Sequence, residues 1–206
     1  MSTRGKKLRN YALLGLWLAI LTGGFWHLLI YANTEGVAAR STPDWPATSN
    51  LKRGTGQASL VVFAHPQCPC SAATLGELER LLPKTRNKIE NFVVFVKPSG
   101  VSDDWAKEKL WQKSESIPGV HTHLDEGGKE ATLFGAKTSG QVFLFDEKGK
   151  LVFSGGITPG RGHMGDNNGR SAVLAFAENK PNEIRKTPVY GCSLFGPERT
   201  LARKKK

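Results

Sequence analysis

The chain opens its hydrophobic pattern with an apolar run from Tyr11 to Tyr31, uncharged and preceded by Arg4, Lys6, Lys7 and Arg9. At 1.5 Å rise per residue, a helix of that length spans about 30 Å, the thickness of a bilayer core. From Asn33 to Gln57 the chain is rich in Thr, Ser, Pro and Gly with no sustained period, which predicts a tether. Within it, Trp45 between Pro43 and Pro46 leaves two readings open, packing on the domain or on the lipid surface. Beyond residue 57 short apolar runs alternate with helical spacings. Strands are expected at Ser59 to Ala64, Phe92 to Lys97, Val120 to Leu124, Gln141 to Asp146 and Leu151 to Ser154. Helices are expected at Ser71 to Leu82, Asp103 to Lys113, Lys129 to Phe134 and Arg170 to Glu178. Asp146-Glu-Lys-Gly149 lies between two apolar runs and predicts an antiparallel hairpin, while the earlier strands, separated by helices, are expected to be parallel.

The fold class implied is α/β, a small mixed sheet with helices on both faces, preceded by one N-terminal transmembrane helix. The boundaries read as a basic segment 1–10, a membrane span 11–31, a linker 32–57, a folded domain 58–195 and a basic tail 196–206.

Charge changes little once it is located. The formal +11 of the 206 residues resides mostly at the two ends, leaving about +3 for the domain, with no basic groove for phosphates. Nucleic-acid binding is therefore not expected. The four basic residues precede the apolar run and no other follows until Arg40, so the N-terminus is expected in the cytoplasm and the domain outside. An uncleaved anchor is the main reading. A signal peptide cleaved at Val37-Ala38-Ala39 competes, but the run exceeds the roughly 7–15 residues of a signal-peptide core. His27, alone and near the outer interface, reads as a solvated imidazole, and the Arg-Lys-Lys-Lys terminus as a solvated tail with contact to anionic lipid as the lesser option.

The chemistry concentrates in Ser59 to Leu82, a strand, a His-Pro turn, two cysteines and a helix. Free backbone amides and the positive dipole end at a helix start stabilise a thiolate. Pro69 suits the first helical position, which makes Cys68 the cap, the more exposed thiol and the better nucleophile, with Cys70 as its partner in the first turn. Two inert, half-buried cysteines are the plain alternative.

The order strand, Cys-x-Cys at a helix start, helix, strand, helix, then Asp125-Glu-Gly-Gly, Leu133-Phe-Gly-Ala and Val142-Phe-Leu-Phe-Asp-Glu-Lys-Gly-Lys-Leu-Val-Phe-Ser-Gly-Gly resembles the thioredoxin-like superfamily over residues 57–179. In layout it is similar to the membrane-anchored, extracytoplasmic TlpA/ResA type. His65-Pro-x-Cys-Pro-Cys with Gly162-His-x-Gly-Asp-Asn and Tyr190-Gly-Cys also resembles a small bacterial group labelled RedB. The resemblance implies a thiol-disulfide oxidoreductase acting on protein thiols or disulfides, with no organic cofactor. The chain departs from the pattern in several places. The usual Cys-x-x-Cys is one residue shorter, and Gln67 replaces the aromatic before the first cysteine. The position of the buried acid is Val62, which leaves His65 as the nearest proton acceptor. The cis-proline position falls on Thr138-Ser139-Gly140, so any substrate docking there rests on Ser139 and Gly140. The peroxiredoxin pattern fails, since His65 stands where a threonine would be needed.

In this fold the last strand ends beside the first, so the Gly-rich loop 155–169 is expected at the cysteines, with Arg161, His163 and Asp166 binding substrate, orienting a thiolate or gating access. The plainer reading has Asp166 or Asn168 capping the next helix. Cys192 leaves an odd thiol if Cys68 and Cys70 pair. As a resolving cysteine, a metal ligand or a buried thiol, it has enough chain to reach the same end. The rival chemistry is Cu(I) binding by His65, Cys68 and Cys70, with Cys192 as an optional further ligand, since copper-delivery proteins of the Sco type share the fold. That rival lacks the Sco cysteine spacing and the histidine before the fourth strand. His121 and His123 alternate on an expected edge strand and read as solvated. A redox-inert binding module is the third option.

Overall fold

The computed structural model describes residues 3–85 and 88–196. The chain divides into two compact units, Met1–Thr34 and Glu35–Lys206. The first is one helix, α1 (Thr3–Asn33), its side chains unburied, and it is long and apolar enough to cross a membrane.

The second unit is built on a five-stranded sheet in the order β3-β2-β1-β4-β5. Strand β1 (Ala58–Ala64) is central and every residue in it is buried, which is why it reads as an unbroken apolar run. It pairs in parallel with β2 (Ile89–Lys97), which pairs in parallel with β3 (Val120–Glu126). On its other side β4 (Gln141–Phe145) runs antiparallel to β1, and β5 (Leu151–Gly155) antiparallel to β4. The hairpin turns on Gly149 at φ +80°, with the Asp146 carboxylate accepting from the Lys148 and Lys150 amides.

Alternation along β1 splits the core in two. Leu60, Val62 and Ala64 face Leu75, Leu78 and Leu81 of α2 (Pro69–Thr85), Trp111 of α3 (Lys109–Ser116), and Ala172 and Val173 of α5 (Asn168–Ala177). Val61 and Phe63 face the opposite layer, where Phe134 of α4 (Lys129–Phe134) meets Phe143 and Phe145. Helices therefore cover both faces, as the pattern predicts.

Two elements differ from expectation. The stretch 103–113 is a 3₁₀ turn, Asp103–Trp105, then α3 restarting at Lys109. Lys97 and Lys107 reach the Asp103 carboxylate at 2.8 and 3.4 Å, and Glu108 is extended at ψ −159°, so the first turn does not propagate. The stretch 36–51, read as part of a tether, makes specific contacts with the domain. Gly36 and Arg40 donate to the carbonyls of Val189 and Gly135, and Trp45 donates to Gly149. Ser49 and Asn50 bond the buried Glu130 carboxylate. Trp45 packs on the domain, its ring 5.0 Å from Phe134 and 5.2 Å from Phe145. His121 is exposed on the edge strand, 3.5 Å from Glu90. Of the basic tail 196–206, all but Gly196 lies outside the described residues.

Candidate active site

Because β4 reverses direction and β5 reverses it again, β5 runs parallel to β1, and the chain leaves both strands at the same end of the sheet. At that end the chain after β1 turns at His65, whose carbonyl accepts from the Cys68 amide at 3.2 Å. Pro69 is the first residue of α2 and the Cys68 carbonyl accepts from Ala72 at 3.3 Å, so Cys68 holds the capping position.

The Cys68 sulfur lies in a cage of donors. The Cys70 thiol is the strongest, joined by the backbone N–H groups of Ser71 and Cys192 and by the Ser139 hydroxyl. Together they overcome the burial of the sulfur and hold its pKa down to about 4. The Cys70 thiol moves the other way and is pushed up, first because its proton is committed to Cys68, then by burial and the neighbouring negative charge. Cys192 is also raised, chiefly by burial and next by the Cys68 charge, while the Arg161 guanidinium opposes this. The three thiols are free and share one site.

No sequence pattern used above marks Ser71, yet it organises this cage. Its hydroxyl donates to the His65 carbonyl at 2.9 Å and lies 2.6 Å from the Ser139 hydroxyl. Serine in the first turn of a helix, directly after Cys-Pro-Cys, is the signal that could have marked it. Ser139 thus does come to the thiols, and Gly140 follows it with its amide on the Phe63 carbonyl.

His65, the expected proton acceptor, is a partly buried imidazole beside the thiols. Burial pushes its pKa down despite the Cys68 charge, its Nδ1 accepts from the Gln67 amide at 3.3 Å, and its ring stands edge-on to Trp105. A neutral imidazole supplies no positive charge to the thiolate, so the amides and hydroxyl carry that task.

The loop 156–169 does reach the cysteines. The Gly162 N–H faces Cys70, and Arg161 Nη1 donates to the Gly191 carbonyl at 2.7 Å. His163 and Asp166 are engaged elsewhere. His163 Nδ1 is 2.6 Å from the Arg161 carbonyl within the loop, and Asp166 pairs with Arg170. The cap of α5 is neither Asp166 nor Asn168 but Asn167, whose side chain accepts from Arg170 at 2.7 Å. The loop is tied to α2 by Glu77, a fully buried carboxylate bonded to the Gly165 amide at 2.7 Å and to Arg170 at 2.6 Å.

Exposure is where expectation and structure part. Cys68 and Cys70 are only 3 % and 5 % exposed, and the exposed thiol is Cys192. The reason is the segment carrying Cys192, which lies against residues 137–139 and covers the helix start. Among the described residues, no group of three or more His, Cys, Asp or Glu side chains is placed to hold a metal ion.

No protein-family model matches the chain, and no curated protein sequence does. Solved structures do. An uncharacterized conserved protein from Geobacillus kaustophilus aligns over 80 % of this chain and 93 % of its own, at 18 % identity and TM-score 0.56. A hypothetical protein from Sinorhizobium meliloti 1021 covers 78 % and 93 %, at 21 % identity and TM-score 0.55. A more distant likeness is the pneumococcal exposed lipoprotein thioredoxin Etrx1 from Streptococcus pneumoniae, with 18 % identity over 61 % of this chain and 86 % of that one, and TM-score 0.44. With its parallel β1–β2 pair joined by the cysteine-bearing α2, its antiparallel β4–β5 hairpin and its closing α5, the chain has a thioredoxin-like fold.

Proposed function

We propose that this protein is a membrane-anchored, extracytoplasmic thiol-disulfide oxidoreductase with Cys68 as its nucleophile. The supporting observation is the donor cage, which keeps Cys68 a thiolate at neutral pH while a neighbouring thiol stays protonated beside it. Thiolate nucleophile, adjacent thiol and a docking edge at Ser139 and Gly140 are the parts disulfide exchange needs. The Cys68 thiolate attacks a protein disulfide and forms a mixed disulfide, which a second thiol of the site then resolves; oxidation of a substrate dithiol is the same sequence reversed. Arg161 holds the segment over the site, and His65 shapes the turn that presents Cys68.

Helix α1 is the anchor. The basic residues on its N-terminal side support an orientation with the remainder of the chain outside the cytoplasm, where disulfide chemistry operates. The bonds that Gly36 and Val37 make with Val189 and Thr138 favour retention of the anchor over cleavage at 37–39.

The reduced full chain in detergent, mixed with insulin as a disulfide-bearing polypeptide, is expected to exchange disulfides, and Cys68→Ser to lose that exchange. Exchange undiminished in Cys68→Ser, or none in the wild-type chain, would sink the proposal.

A further inference from the structure

Cys192 does not reach the site by chance contact. Residues 191–194 form an extra extended segment alongside 137–139. Thr138 and Ser193 make an antiparallel bridge, the Ser139 amide donates to the Cys192 carbonyl at 2.8 Å, and the Leu194 amide donates to Lys137 at 2.9 Å. Gly191 is pressed so close that a Cβ there would stand 1.9 Å from the Ser139 carbonyl oxygen, a separation only glycine permits. On the far side Arg161 fastens the Gly191 carbonyl. The segment therefore sits in a fixed register, with the Cys192 amide on the Cys68 sulfur and its thiol in contact with both other thiols.

Cys70 is placed less well for a disulfide. It lies two residues after Cys68, which caps α2, so its thiol reaches Cys68 as a hydrogen-bond donor while a bond between the two sulfurs would have to close across Pro69 alone. A disulfide across a single residue closes a tight ring and strains the first turn of α2. That turn is anchored by the Thr74 hydroxyl on the Cys70 carbonyl at 3.0 Å and by the Ser71 contacts. The segment with Cys192 belongs to no helix or strand and follows an irregular stretch, 179–190, so it can leave the edge without breaking a regular element.

We infer that Cys192 is the resolving thiol, closing the working disulfide with Cys68 from a segment that withdraws while a polypeptide substrate occupies the same edge, and that Cys70 serves as hydrogen-bond donor to Cys68. This rests on the thiol-disulfide reading above. The Cys68 thiolate attacks one sulfur of the substrate disulfide, forming a mixed disulfide and expelling the other as a thiolate. Cys192, having given its proton to water, attacks the Cys68 sulfur, forming Cys68–Cys192 and expelling the second substrate thiolate. Two electrons pass from the protein thiols to the substrate, and a protein dithiol outside the membrane restores the reduced chain.

The test uses the reduced full chain in detergent, insulin as probe, acid quenching, alkylation and mass mapping of linked peptides. The wild-type chain and Cys70→Ser are expected to yield the Cys68–Cys192 link. Cys192→Ser is expected to accumulate the Cys68–insulin mixed disulfide by roughly tenfold over wild type. Cys70→Ala, which removes the donor, is expected to raise the pH midpoint of Cys68 alkylation by about one unit or more without that accumulation. A Cys68–Cys70 link in wild type, with Cys192→Ser resolving normally, overturns the inference and leaves the thiol-exchange reading intact. Absence of any link or exchange in wild type removes both.

Discussion

The reactive sulfur of this site is buried, and burial alone would push a thiol up; four donors decide the outcome. Hydrogen bonds to a charged group contribute about 1.5–3 kcal/mol each when desolvated, and one pKa unit corresponds to about 1.4 kcal/mol. The thiolate is present above about 4 and is lost as pH falls through it, so alkylation of Cys68 should hardly vary across the neutral range. An ordinary thiol would instead gain rate up to its pKa of about 8.5. Ser139→Ala removes one donor and is expected to lift the alkylation midpoint by roughly one to two units. An unchanged midpoint would assign Ser139 to holding Ser71 rather than to the sulfur. The place of Cys68 at a helix start was legible because Cys-Pro fixes a cap and a first helical position by local geometry. The cage was not, because Ser139 and the Cys192 amide reach Cys68 from 71 and 124 residues further along the chain.

Among the elements, α2 carries the site and Glu77 couples it to the loop. Its position was readable in part. Thr74, Leu78, Leu81 and Thr85 define the buried stripe, and Glu77 falls on it, an acidic residue where only a paired one persists. What sequence could not supply was the partner, Arg170, which lies across the sheet end on α5. Gly76 beside it lets the Met164 side chain of the loop lie close against α2, where a Cβ would stand 2.5 Å from its Cε. Removing the charge while leaving the shape, Glu77→Gln, leaves Asp166 as the carboxylate partner of Arg170 and weakens the hold on Gly165. A destabilisation of about 3 kcal/mol is expected, a fall in melting temperature of roughly 6–12 °C for a domain of this size. Because the loop faces Cys70 through Gly162, the same variant should loosen Arg161 from Gly191 and speed Cys192 alkylation; a melting shift below about 1 °C by calorimetry would mean that the pair holds nothing. Strand positions were the most legible feature, since β1, β4 and β5 are set by short apolar runs and one turn. The segment 36–51 was the least legible, for its bonds are backbone amides on distant carbonyls and leave no pattern.

For the whole molecule the governing question is which side of a membrane the thiols face. Arg4, Lys6, Lys7 and Arg9 flank one end of α1 and no basic residue flanks the other before Arg40. Since short basic flanks resist translocation, the cysteines are expected on the outer side. The compartment matters to the chemistry: a Cys68 thiolate that persists at neutral pH would meet a reducing thiol pool in the cytoplasm and protein disulfides outside it. The exposed thiol, Cys192, makes orientation measurable, because a membrane-impermeant maleimide can reach it without reaching the other two first. In intact spheroplasts expressing the full chain, labelling of Cys192 is expected before lysis, and the labelled protein is expected to stay with the membrane after carbonate washing and to keep residues 1–34 by intact mass. Labelling that appears only after lysis would place the domain in the cytoplasm and remove the extracytoplasmic half of the proposal. Labelling before lysis on a protein lacking its first 39 residues would instead give a secreted form, free of the membrane and without the bonds of Gly36 and Val37 to the domain.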